Sequence, residues 1–98
     1  ERRFLVLLAE MGLPRPLTQA VVGRRKQHLI RVDCQFPGTN VVVELLGYAF
    51  HRTVMQMQND AERMNRMILD GLHPLQVTYA DVASESPTML ASIREALV

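Results

Sequence analysis

The sequence predicts an α+β or α/β sandwich in which helices cover a four-stranded sheet, and three observations carry that expectation. "VVVELL" (41–46) is an almost unbroken aliphatic run, as in a strand buried on both faces. The segment before it, "HLIRVDCQF" (28–36), alternates apolar and polar residues and joins it through the turn sequence "PGTN" (37–40). Elsewhere, apolar residues recur at helical spacing in three stretches, so the elements run helix, three strands, helix, strand, helix.

Residues 2 to 11 place Phe4, Leu5, Leu7, Leu8 and Met11 at helical spacing, and Gly12 with Pro14 ends the pattern. "LTQAVV" (17–22) reads as a strand, and "GRRKQ" (23–27) as a turn carrying three cations. In 28–36, Ile30, Val32, Cys34 and Phe36 alternate with Leu29, Arg31, Asp33 and Gln35, a half-buried strand with Asp33 and Arg31 on its polar face. It pairs with 41–47 as an antiparallel hairpin. An irregular stretch follows, then a helix from Thr53 to Asp70 with Thr53 as N-cap and Gly71 as its stop. "HPLQVTY" (73–79) is a short strand, with Pro74 near its start where a missing N–H is tolerable. Pro87 opens a last helix with Leu90, Ile93 and Leu97 on one face.

Ninety-eight residues suit one domain, 1–98, and a 48% apolar content supports a modest core without staples. A single cysteine, Cys34, excludes a disulfide framework and fits a reducing, cytoplasmic setting. No apolar stretch approaches a membrane span, and no signal-peptide pattern is present. The chain opens on Glu1 rather than Met, which suggests a piece of a longer protein with a neighbouring domain before it. A net charge of +1 leaves partners to be judged from local patches.

The polar residues concentrate around the hairpin. Symmetric pairing about "GT" places Asp33 opposite Glu44, side by side on one sheet face. Two carboxylates at that distance repel, and a hard cation (Mg²⁺, Mn²⁺ or Ca²⁺) between them removes the conflict. The competing reading is a carboxylate satisfied by Arg31 or by a backbone donor. On the 53–70 helix, Met57, Ala61, Met64, Met67 and Ile68 form one apolar arc, and Asp60 falls inside it. An acid there needs a partner, and an ion pair with Arg63 or a place at the rim are the simpler alternatives. His51 follows the apolar strand in a loop, where reactive groups are often held, although a lone histidine is more often structural. No His or Cys pair has zinc-ligand spacing. Arg24, Arg25 and Lys26 form a cationic tip, extended by Arg31, that suits phosphates or is merely a solvated turn.

"IRVDCQFPGTNVVVELLGYAFH" followed by "NDAERMNRMILDGLHPLQVTYADV" resembles the very-short-patch-repair endonuclease-like family of the PD-(D/E)XK nuclease superfamily. The family pattern is roughly R-V-D-F, a turn, V-V-E-x-D-G, an aromatic-rich stretch ending in His, a helix with E-R-D, and a closing strand. The resemblance runs ungapped from about Ile30 to Val82. It implies a restriction-endonuclease-like three-layer α/β sandwich, order αβββαβα, with a four-stranded mixed sheet. It also implies metal-dependent hydrolysis of DNA phosphodiester bonds, with Mg²⁺ or Mn²⁺ on Asp33 and Glu44. By the same resemblance, His51 assists as general base oriented by Asp60, the basic hairpin with Arg31 grips DNA, and Glu1 matches a glutamate opening the first helix. The departures are as specific. Leu46 stands where relatives carry an acid or a lysine, and Gln58, Asn59 and Met64 replace other polar positions. A noncatalytic DNA-binding or regulatory module retaining the nuclease fold is the alternative that these losses suggest.

Overall fold

A computed structural model describes residues 1–23, 29–47 and 53–98. The elements are α1 (Arg2–Glu10), β1 (Leu17–Val22), β2 (Ile30–Gln35), β3 (Val41–Leu46), α2 (Val54–Leu69), β4 (His73–Thr78), α3 (Tyr79–Ala83) and α4 (Pro87–Leu97). The four strands form one mixed sheet in the order β1-β2-β3-β4, antiparallel up to β3 and parallel between β3 and β4. The class expected from the sequence, α/β with a four-stranded mixed sheet and helices, is therefore present. The expected element order omitted one helix. Tyr79–Ala83 forms α3 directly at the end of β4. Five residues are too few for a periodic signal. What starts this helix is the capping box of Thr78 and Asp81, whose side chains each accept a backbone N–H of the other at 3.0 Å.

Two apolar clusters lie on opposite faces of the sheet. Phe4, Leu7 and Leu8 of α1, Val82 of α3 and Met89, Leu90 and Ile93 of α4 pack on Cys34, Phe36, Val41, Val43 and Val77. Across the sheet, Met67 of α2 packs on Val22, Val32 and Val42, with Met64 beside them. β3 lies between these layers, so Val41, Val42 and Val43 are all fully buried, as a strand covered on both faces must be. Each such side chain contributes roughly 1.5–3 kcal/mol of burial.

β2 departs from simple alternation. Val32 belongs to the α2 side and Cys34 to the other side, although residues two apart on a regular strand share a face. Asp33 lies at this crossover. The β1–β2 ladder pairs Thr18 with Cys34 and Ala20 with Val32 but skips Gln19 and Asp33. Gln19 has φ of 49°, the left-handed region, at that step. The single apolar side expected for β2 is thus split between two cores, at the step where the β1–β2 ladder skips Gln19 and Asp33.

α2 begins at the predicted N-cap. Thr53 accepts from the Gln56 N–H at 3.1 Å and the Gln56 side chain accepts from the Thr53 N–H at 2.9 Å. This box is worth about 1 kcal/mol. At the other end Gly71 adopts φ of 86°, which an L side chain resists. The expected apolar arc is not the buried one. Met57 is 58% exposed and Ile68 is 55% exposed, whereas Met67 and Asp70 are buried and Arg63, Met64 and Arg66 are half-buried. The helix is rolled so that its inner stripe centres on Met67, and Asp60 is exposed rather than enclosed. Among the described residues no helix is long and apolar enough to cross a membrane.

Candidate functional site

The site is assembled where β2 and β3 part. Backbone pairing of the hairpin follows the expected register, Gln35 with Val42 and Cys34 with Val43, and ends there. One step further along that register lie Asp33 and Glu44. Instead of bonding across to the β2 backbone, the Leu45 N–H donates to Asp33 Oδ2 at 2.7 Å. Asp33 is therefore satisfied by a backbone donor, one of the two simple alternatives open from the sequence.

Glu44 takes a different partner. Its side chain points to the α2 face, where Arg63 Nη2 lies 2.5 Å from Oε1. The same nitrogen donates to the Arg31 carbonyl at 2.5 Å, so one guanidinium ties β2 to β3. Glu44 is 9% exposed. Despite the close charge contact, Oε1 has no hydrogen-bond partner of proper geometry among the described residues. Burial pushes the Glu44 carboxyl above the ordinary carboxylate range, Arg63 opposes that rise, and the Asp33 charge adds to it.

A pocket of about 170 Å³ opens beside this pair, lined by Glu44, Leu46, Asp60, Arg63, Met64 and Gln76. The structure thus brings Glu44 and Asp60 to one cavity, with Asp33 beside Glu44 on the neighbouring strand. Leu46 faces the same cavity as Glu44, as two-residue spacing on a strand requires. Glu1 is elsewhere. It is the α1 N-cap residue, its Oε2 accepts from Gln19 Nε2 at 2.9 Å, and it lines an adjoining pocket of about 210 Å³ with Leu45, Leu46 and Tyr79. Leu46 is common to both pockets. The Arg31 side chain is exposed, and its contribution here is its carbonyl oxygen. His51, Arg24, Arg25 and Lys26 lie outside the described residues.

Two contributors were not assigned this place from sequence. The sequence presents Arg63 as a partner for Asp60, and one helical turn from Asp60 is also the spacing that brings it to the same wall. Gln76 pairs with Glu44 across the parallel β3–β4 ladder and lines the pocket. Its only signal was a polar residue between Leu75 and Val77.

Among the described residues no three His, Cys, Asp or Glu side chains gather as a metal cage. Magnesium does not require one, since it binds through one or two carboxylates and retains waters. Asp33 and Glu44 would supply those donors, and Glu44 Oε1, which Arg63 contacts at 2.5 Å, is the oxygen for which such a cation would compete. The residues fit Mg²⁺ or Mn²⁺, with Arg63 as the competing cation. No family model, characterised protein or solved structure matches this chain.

Proposed function

We propose that this chain is a nuclease-fold domain of the very-short-patch-repair type that acts on DNA phosphodiester bonds with Mg²⁺ or Mn²⁺. The observation that carries the reading is the juxtaposition of Asp33 and Glu44 on adjacent strands, with Glu44 opening on a pocket that Asp60 also lines. Asp33 and Glu44 would hold the cation, which supplies Lewis-acid stabilisation of charge on a scissile phosphate. Asp33 is held in place by the Leu45 N–H, and Gln76 offers a neutral hydrogen-bonding group at the pocket wall. His51 belongs to this reading as the general base, with the basic residues Arg24, Arg25, Lys26 and Arg31 on the DNA backbone. The restriction-endonuclease-like arrangement of the sheet is part of the same proposal.

A second reading is favoured by Leu46 and Arg63. An apolar side chain and an internal cation occupy the pocket where a third polar ligand and a metal would be wanted, which suits a noncatalytic DNA-binding module. Plasmid nicking with Mg²⁺ or Mn²⁺, comparing the wild type with Asp33→Asn, separates the two. Metal-dependent nicking that is lost in the variant is the expected result. Equal cleavage by both proteins, or none by either, overturns the catalytic reading. Salt-dependent DNA affinity without cleavage then leaves the binding module, and no DNA affinity ends both.

A further inference from the structure

We infer that Arg63 is a built-in counter-ion that competes with a divalent cation for Glu44, so that cation binding requires its release from β2. The inference rests on the metal reading of Asp33 and Glu44 and adds a control on it. Three observations lead there.

Nη2 of Arg63 reaches both Glu44 Oε1 and the Arg31 carbonyl, each at 2.5 Å. A guanidinium at that distance from Oε1 excludes a second cation from the same oxygen, by contact and by like charge. The bond to Arg31 holds the guanidinium from a strand other than the one bearing Glu44. Displacing Arg63 therefore breaks an interstrand tie as well as an ion pair.

The pocket supplies the room and the alternative contacts. Its wall carries Asp60, three residues before Arg63 on α2 and on the same side, together with Gln76. Arg63 is also about one-third exposed along its side chain, so it can swing outward without crossing the core. Oε1, by contrast, is buried and lacks a hydrogen bond of proper geometry among the described residues. The arginine thus neutralises Glu44 through one close nitrogen contact to Oε1, the oxygen a metal ion would take in its place.

Calorimetric titration with Mn²⁺ on the whole chain tests this, using the wild type, Arg63→Met, Glu44→Gln and the double variant. Methionine keeps the apolar stem and removes the charge, and Arg63→Gln serves as a second variant if the first unfolds. Arg63→Met is expected to bind Mn²⁺ roughly ten- to hundred-fold more tightly than the wild type, the scale on which one adjacent charge alters a carboxylate's cation affinity. Glu44→Gln is expected to abolish the gain. In parallel, the ¹⁵N-labelled guanidinium signal of Arg63 in the wild type is expected to move toward the free-arginine position as Mg²⁺ is added. Wild-type binding that depends on Glu44 but is unchanged by both Arg63 variants overturns the inference and leaves the metal reading standing. Absence of Mn²⁺ binding in every variant removes the metal reading and the inference with it.

Discussion

The carboxylate of Asp33 takes the Leu45 backbone N–H at 2.7 Å, at the point where the ladder between their strands ends. A side chain here replaces a rung of the sheet. Asp33 consequently has a structural duty whatever its chemistry. The two are separable by substitution. Asp33→Ala leaves a part-buried N–H unsatisfied and is expected to cost about 1–3 kcal/mol. Asp33→Asn keeps an acceptor oxygen and is expected to cost less than half as much, while removing the negative charge that a cation needs. Urea unfolding of both variants measures the first difference, and Mn²⁺ titration the second.

The Glu44–Arg63 pair gives a pH-dependent prediction. Burial raises the folded Glu44 carboxyl above its ordinary 4.5, with Arg63 acting against the rise. The folded state therefore holds this proton more tightly than the unfolded chain. Its stability contribution falls as pH rises from about 4.5 through the folded value. Arg63→Met removes the opposing charge, so the variant is expected to lose about 2 kcal/mol at neutral pH and to recover much of it at pH 4. Adding Glu44→Gln should erase that pH dependence. Denaturant midpoints at the two pH values check both statements.

Leu46 separates the two pockets and faces Glu44. Leu46→Asp adds a third carboxylate to the cavity. Without metal, the variant is expected to be less stable by about 1–3 kcal/mol at neutral pH, through lost burial and like-charge repulsion. Mn²⁺ at millimolar concentration should restore more stability to it than to the wild type, read as the shift in thermal midpoint. An equal shift in both would show that the added acid reaches no cation.

Cys34 is fully buried, and burial is the main cause that pushes its thiol from 9.0 up to about 12, with Glu1 and Asp33 adding to the rise. The native state retains this proton in a range where the unfolded chain loses it. Stability is therefore expected to decline as pH rises from about 9 toward 12. At pH 8 the folded chain should resist iodoacetamide, and alkylation should follow the unfolding curve in urea. Fast labelling without denaturant would contradict the buried, neutral thiol.

At Gln19 the backbone holds φ of 49° beside the Asp33 crossover. A β-branched side chain is poorly tolerated there. Gln19→Val is expected to destabilise by about 1–2 kcal/mol, although the position is exposed and loses no burial. Gln19→Gly should come within about half a kcal/mol of the wild type, relief of strain offsetting the lost Glu1 hydrogen bond. Thermal unfolding of the two variants measures the difference.

Local features were legible in the order of the amino acids. The "PGTN" turn set the β2–β3 register, because a tight turn leaves two neighbouring strands little choice of pairing. Thr53, Gly71 and Pro87 marked helix ends because caps act on the backbone of their own turn. Asp33 beside Glu44 was legible for the same reason. The tertiary structure decided everything that depends on which face meets which. Periodicity gave the α2 arc but not its roll, so Met67 became the buried centre while Met57 and Ile68 stayed outside. The face switch of β2 at Asp33 needs two competing cores, and no local pattern announces that. Arg63 and Gln76 reach Glu44 only through the crossover that carries α2 over the sheet and lays β4 parallel to β3. Their contact with Glu44 is a product of long-range packing, whose energy is spread over the whole sheet rather than written in any one segment.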